Sequence, residues 1–191
     1  IYRSQLGNER LKRFRWWTET GVLPKIGQGA VTRNSLINEP VVTLDDRDPF
    51  RTDILHEYFV SPDKFSDFLD LCRTVIPASY QEFLNITLRY VDTDKQSILA
   101  YAPVPRIAAV MSFSQEMTQR AEADMKRMTE ALIEGVIGIG GTYYLPYRPH
   151  ATIDQISRAY PRLNEFVQSK REIDPKLTFR NALWDKYMKG V

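Results

Sequence analysis

Ile54-Leu55-His56-Glu57-Tyr58-Phe59-Val60-Ser61-Pro62-Asp63 is the stretch that decides the fold. Its first seven residues carry β-branched and aromatic side chains suited to a strand. Ser61-Pro62-Asp63 then supplies an N-cap, a proline at the first helical position and an acid in the first turn. Phe65, Phe68, Leu69, Cys72 and Val75 follow as one apolar helix stripe, which Pro77 ends. The segment is therefore a strand handing over to a helix.

Outward from that unit the two periods alternate again. Phe83 to Val91 reads as a second strand and Arg106 to Phe113 as a third. A long helix is predicted over Gln115–Ile137, because Met117, Ala121, Met125, Met128, Leu132 and Val136 recur every three or four residues. Gly140-Gly141 closes it, and Thr142 to Leu145 gives a short fourth strand. The order β-α-β-β-α-β predicts an α+β fold, a ferredoxin-like antiparallel sheet with both helices on one face. Helices are also expected near Thr152–Tyr160 and Pro161–Ile173, before an irregular end.

Upstream, Asn8 to Thr20 reads as a short basic, aromatic helix with Leu11, Phe14 and Trp17 at helical spacing, stopped by Gly21 and Pro24. Gly27-Gln28-Gly29 to Pro49 reads as a long connection. Three divisions are thus expected: a connecting segment with a short helix over 1–50, the sheet over 51–150, and a helical segment over 151–191.

Composition narrows the function classes. The 191 residues suffice for one sizeable α/β domain, and a net charge of +2 points to neither nucleic acid nor a membrane surface. Cys72 is the single cysteine, so an intrachain disulfide is excluded and a small buried hydrophobe is expected there. No apolar run approaches the roughly 18 residues of a membrane span. The chain opens on Ile1 without signal-peptide character, as expected of a piece of a longer protein, cytoplasmic or exported. Two histidines and one cysteine give no metal-ligand spacing, so no metal is expected. Neither a phosphate-binding Walker loop nor a Gly-x-Ser-x-Gly elbow is present.

Three clusters could carry chemistry. On the second strand Leu84, Ile86, Leu88 and Tyr90 share one face and are expected under the helices, leaving Asn85, Thr87 and Arg89 on the other. That polar face is either a solvated sheet surface or a platform for an oxygen-rich ligand, since arginine offers fixed forked donors. An RNA-binding sheet would need aromatics there, and these three residues are not aromatic. Tyr143, Tyr144, Tyr147, Arg148 and His150 crowd the second cluster, where tyrosines could donate and His150 could exchange a proton near neutrality. His56 and Tyr58 form the third, on one strand face, with Glu57 on the other.

Five segments carry a resemblance: Thr52 to Val60, Asn85 to Val91, Leu99-Ala100-Tyr101-Ala102-Pro103, Gly140 to Tyr147, and Asp174-Pro175-Lys176-Leu177-Thr178-Phe179-Arg180-Asn181. In order and spacing they resemble the C-terminal half of FAD-linked oxidases of the vanillyl-alcohol oxidase and p-cresol methylhydroxylase family, aldonolactone and alditol oxidases among them. The resemblance implies a cap that covers a flavin and builds a substrate pocket, with a last segment returning to an FAD domain of the same parent chain. It implies FAD as cofactor, held mainly by that other domain, and a small-molecule alcohol, sugar or lactone as substrate.

By position, the resemblance makes Arg89 the cap-strand arginine that positions substrate, while Thr87 stands where alditol oxidases carry an acid. Tyr147 falls near the place of a catalytic lysine, with Tyr144 beside it, and Arg148-Pro149-His150 is similar to an Arg-Pro-His that here lacks the following Trp-x-Lys. His150 or a tyrosine is expected to accept the alcohol proton. Asn85, Thr87, His56, Tyr58 and Tyr101 are expected at the substrate, and Arg180 and Asn181 near the flavin. The competing expectation is a non-enzymatic ferredoxin-like module that binds a ligand or pairs with a second copy.

Overall fold

The computed structural model describes residues 7–26, 32 and 48–190, which fall in two units, Ile1–Thr52 and Asp53–Val191. In the first, the Asn8 side chain accepts the Leu11 N–H at 3.1 Å and opens α1 (Glu9–Trp17). The helix does not stop at Gly21 and Pro24 as predicted. A π-helical turn over Thr18–Val22 leads into α2 (Leu23–Ile26). The widened turn lets the Leu23 N–H reach the Thr18 carbonyl, so Pro24 falls where the backbone needs no further donor. No residue of α1 is buried. The predicted connection from Gly27 to Pro49 lies outside the described residues except at Thr32 and its last two positions.

The sheet unit runs β1 (Arg51–Val60), α3 (Phe65–Val75), β2 (Glu82–Val91), β3 (Arg106–Glu116), α4 (Gln119–Gly138), β4 (Thr142–Tyr143), α5 (Ile153–Ala159), α6 (Leu163–Ile173) and α7 (Ala182–Tyr187). The four strands form one antiparallel sheet in the order β2-β3-β1-β4. This is the order that two interleaved β-α-β units produce, so the fold is the expected α+β one.

The boundaries differ where two signals competed. β3 continues past Phe113 to Glu116, because Ser114 still pairs with Glu82. α4 therefore starts four residues later than predicted, where Thr118 caps it by accepting the Ala121 N–H at 3.1 Å. Met117 lies outside the helix and is exposed. On β2 the alternation slips at Leu84. A bulge pairs Phe83 with Phe113 and then Asn85 with Ser112, so Phe83 takes the core place that Leu84 was expected to fill. Leu88 and Tyr90 keep the predicted face but are not packed under the helices as expected, at 49% and 69% exposure.

The core lies between the sheet and the helices. Ile54, Tyr58 and Val60 of β1, Met111 and Phe113 of β3, Phe68 of α3, and Met125, Met128, Leu132 and Val136 of α4 build it. Cys72 is half-buried at its edge, and burial pushes its thiol up to about 12. α4 ends on Gly140 at φ +76°, and Gly141 follows so close to β1 that a Cβ there would sit 2.7 Å from the Phe59 carbonyl.

The C-terminal helices share this core through Ile156, Leu163, Val167, Trp184, Tyr187 and Met188. Tyr187 donates its hydroxyl to the Ala151 carbonyl at 2.9 Å, and Tyr160 donates to the Tyr143 carbonyl. The predicted irregular end is instead α7, whose cap is Asn181. No described helix is long and apolar enough to cross a membrane.

Candidate functional site

β1 separates the candidate residues into two sites because its side chains alternate. Ile54, His56, Tyr58 and Val60 are buried together on the helix side. Glu57 and Phe59 point to the opposite, outer face. β2 and β3 align their own outer-face residues with register pairs Asn85–Ser112, Thr87–Val110 and Arg89–Ala108.

On the outer face an aromatic row begins at Phe59, whose ring stacks on Tyr101 with centroids 4.4 Å apart. Tyr101 meets Tyr144 edge-on at 5.7 Å, and Tyr144 meets Tyr147 at 5.1 Å. The Tyr144 N–H donates to the Glu57 carbonyl at 2.9 Å, which ties the row to β1. Thr142 donates its hydroxyl to the Tyr101 carbonyl and holds the other end.

Three charged or ionisable groups meet beside this row. Burial raises the Glu57 carboxyl above its ordinary value, and the Arg89 charge opposes that rise. Burial also raises the Tyr147 phenol, reinforced by Glu57 and Tyr144 and opposed by Arg89. Arg89 itself is exposed and makes no hydrogen bond or ion pair with any described residue, so its forked donors face solvent unspent. Asn85 and Thr87 are exposed on the same strand face.

The helix side holds a different arrangement. Tyr58 Oη and His56 Nδ1 are 3.1 Å apart, and His56 Nε2 lies 3.3 Å from Thr129 Oγ1. Thr129 Oγ1 is 3.1 Å from His150 Nδ1, and His150 Nε2 is 2.9 Å from Glu122 Oε1. Glu122 Oε2 accepts from Gln115 Nε2 and from Arg148. Both histidines of the chain therefore belong to one hydrogen-bonded line through the core. Thr129 places a hydroxyl in the apolar stripe of α4. Left unpaired, such a group would cost about 1–3 kcal/mol, comparable to what burial of one neighbouring methionine contributes, about 1.5–3 kcal/mol. Its three partners remove that cost.

Burial dominates both imidazoles. His56 is pushed down to about 3 by desolvation, with the charges of His150 and Arg148 adding to it. Desolvation also lowers His150, although the Glu122 hydrogen bond and charge work against it. Glu122 is half-exposed; burial would raise its carboxyl, but hydrogen bonds from Gln115 and His150 and the Arg148 charge hold it below its ordinary value. It is therefore the ionised, solvent-facing end of the line.

The structure thus brings Arg89, Tyr144, Tyr147 and Tyr101 onto one face. It does not put His56, Tyr58 and His150 there. His56 and Tyr58, expected at the substrate, are buried on the helix side, because Ile54 and Val60 fix that parity of β1 in the core. Arg180 pairs with Asp185, and the Asn181 side chain accepts the Trp184 N–H at 2.9 Å as the cap of α7. Sequence reasoning missed Glu57, whose signal was its parity opposite the core residues. It also missed Thr129, a lone hydroxyl at core spacing four residues after Met125.

A small cavity of ≈ 20 Å³ lies where the two sites approach each other. His56, Tyr58, Thr129 and Tyr143 line it together with Glu57, Tyr144 and Tyr147. It sits beside the stretch of β1 that β4 is too short to pair, so the segment Tyr144–Arg148 closes it. Among the described residues no group of three His, Cys, Asp or Glu side chains could hold a metal ion. No protein-family model matches this chain, and no curated protein matches it.

Proposed function

We propose that the chain is the substrate-covering part of an FAD-dependent oxidoreductase that oxidises an alcohol, sugar or lactone-like substrate. The observation that carries this reading is Arg89, exposed and without a partner among the described residues, on a sheet face beside Glu57, Tyr147 and an aromatic row. A sheet face with open forked donors beside half-buried aromatic rings suits an oxygen-bearing substrate held against a planar ring. FAD, when bound, supplies the hydride acceptor. Its pyrophosphate would be held by another domain of the parent chain, since among the described residues the outer face offers donors and aromatic surface but no glycine-rich phosphate loop.

This chain's own residues would do the rest. Arg89 orients a substrate oxygen, with Asn85 and Thr87 along the same strand. Glu57 accepts the hydroxyl proton, because a carboxyl raised by burial is a stronger base than an ordinary one. Tyr144 and Tyr147 wall the site and exclude water. His150 moves one step back from the role that the sequence suggested for it.

The test is anaerobic flavin reduction in the full parent protein, using a panel of alcohols, sugars and lactones. At least one should bleach the flavin, and Arg89→Ala should slow that step by roughly 100-fold. An unchanged rate in Arg89→Ala, or no reduction by any member of these classes, overturns the reading. One observation favours a second reading, a module that pairs with another copy: Leu88 and Tyr90 stand exposed on the sheet's edge strand. Sedimentation of the chain alone separates the two, since the module reading requires a dimer that Leu88→Glu dissolves.

A further inference from the structure

The buried line from Tyr58 to Glu122 has a hydrogen-bond count that closes in one direction. Glu122, ionised, has no hydrogen to give, so His150 Nε2 must donate to it. A neutral His150 then needs a donor at Nδ1, and the Thr129 hydroxyl is 3.1 Å away. Thr129 can in turn accept from His56 Nε2, and His56 Nδ1 can accept from the Tyr58 hydroxyl. Every donor can thus point toward Glu122. The Thr129 hydrogen also reaches the Met125 carbonyl at 2.7 Å, so the line is complete when that hydroxyl turns from the carbonyl to His150 Nδ1.

The inner end of the line opens on the ≈ 20 Å³ cavity, which is large enough for one water. Tyr143 is 8% exposed, lines the cavity, and its hydroxyl has no hydrogen-bond partner among the described residues. Glu57, on the substrate side, lines the same cavity.

We propose that Tyr58, His56, Thr129 and His150 form a proton relay that carries the substrate's proton from Glu57, through one cavity water, to Glu122 at the surface. The inference rests on the oxidoreductase reading for the source of the proton, and on geometry alone for the path. The transfer balances as follows. The cavity water takes the proton from Glu57 and gives one to Tyr58 Oη. Tyr58 gives its own hydrogen to His56 Nδ1, His56 Nε2 gives one to Thr129, and Thr129 gives one to His150 Nδ1. His150 Nε2 delivers one to Glu122, which releases it to solvent. Both imidazoles change tautomer and neither becomes a cation, which suits a core where burial disfavours imidazolium. The charged groups facing His150 are Glu122, Arg148 and Lys186, and Arg148 also lines the cavity and acts on His56. These are relay residues, one step removed from the reacting atoms.

The test has two arms. In the chain alone, long-range ¹⁵N–¹H spectra at pH 7.5 should show both histidines neutral with the proton on Nε2. Thr129→Val should shift the ring nitrogens of both, and Thr129→Ser should restore them. Protons on Nδ1, or spectra that ignore Thr129→Val, overturn the relay. In the flavin-bearing parent, Thr129→Val should lower kcat by roughly 10-fold or more with KM unchanged, and Thr129→Ser should recover it. A wild-type kcat in Thr129→Val overturns the relay. Failure of wild-type parent to reduce any flavin counts against the oxidoreductase reading, and the spectra of the chain alone then decide the path.

Discussion

The Tyr144 N–H donates to the Glu57 carbonyl at 2.9 Å, one residue beyond the last strand pair that β4 makes with β1. That bond turns a strand end into the wall of a site. Pro146 and Pro149 then lack the N–H groups that would extend the ladder, so the segment leaves the sheet edge and lays Tyr144 and Tyr147 across the outer face. Glu57 contributes to both sides of this junction, its carbonyl to the backbone bond and its carboxyl to the cluster with Arg89 and Tyr147.

Glu57→Gln follows directly. The folded-state carboxyl is raised above its unfolded value, so its contribution is intact at acid pH and is lost as pH rises through the folded pKa. The glutamine variant should therefore melt at a higher temperature than wild type at pH 8 and at no higher temperature at pH 3.5. In the flavin-bearing parent the same change should abolish most substrate-driven reduction, as read by stopped-flow absorbance.

His56 gives the opposite pH signature. Its imidazole is lowered from 6.5 to about 3, so the unfolded chain binds the proton that the folded chain refuses. The stability is present above pH 6.5 and falls as pH drops toward 3, by about 1.4 kcal/mol per pH unit for this one group. His150, lowered by burial as well, adds in the same direction. Urea unfolding at pH 7.5 and pH 5 should show that loss, and His56→Gln should flatten the slope.

Gly141→Ala should destabilise the sheet unit by about 1–3 kcal/mol. The new methyl would lie 2.7 Å from both the Phe59 carbonyl and Val136 Cγ1, and the carbonyl is backbone that cannot rotate away. Thermal unfolding of the variant reads the loss. Gly138→Ala is the control, since its Cβ would meet nothing within 4 Å.

Asp174→Ala should loosen the turn before α7. The carboxylate accepts the backbone N–H groups of Thr178 and Phe179 at 2.9 Å and pairs with Lys170, which hold it down to about 2. These bonds fix a backbone that places Leu177 at φ +49°. Limited trypsin digestion should cut faster after Lys176 and Arg180 in the variant, with the rest of the sheet unit protected.

The fold was legible because its punctuation was local. Ser61-Pro62-Asp63 marks the strand-to-helix handover wherever the chain ends up, and Met125, Met128, Leu132 and Val136 repeat with a period that only a buried helix face needs. The start of α4 was misread because Met117 fits the helical spacing while Ser114 and Glu116 extend the strand, and pairing with Glu82 settled the contest. α7 was missed because a six-residue helix has little periodicity, and its stability comes from Trp184 and Tyr187 in the core. The outer-face site was half legible: alternation separated Arg89 from Ile86, but nothing local said that Tyr144 and Tyr147 would lie across β1. The relay had no local signature at all, since Thr129 lies 73 residues from His56 and 21 from His150.

The sheet is bordered very unequally. At one margin β4 offers two residues, and the turn behind it shuts off further pairing. At the other, β2 runs ten residues along the margin, with no further strand beside it among the described residues. Lateral growth, whether by another polypeptide or by a companion segment of a larger protein, therefore has a single direction available, and it extends the same surface that carries Arg89.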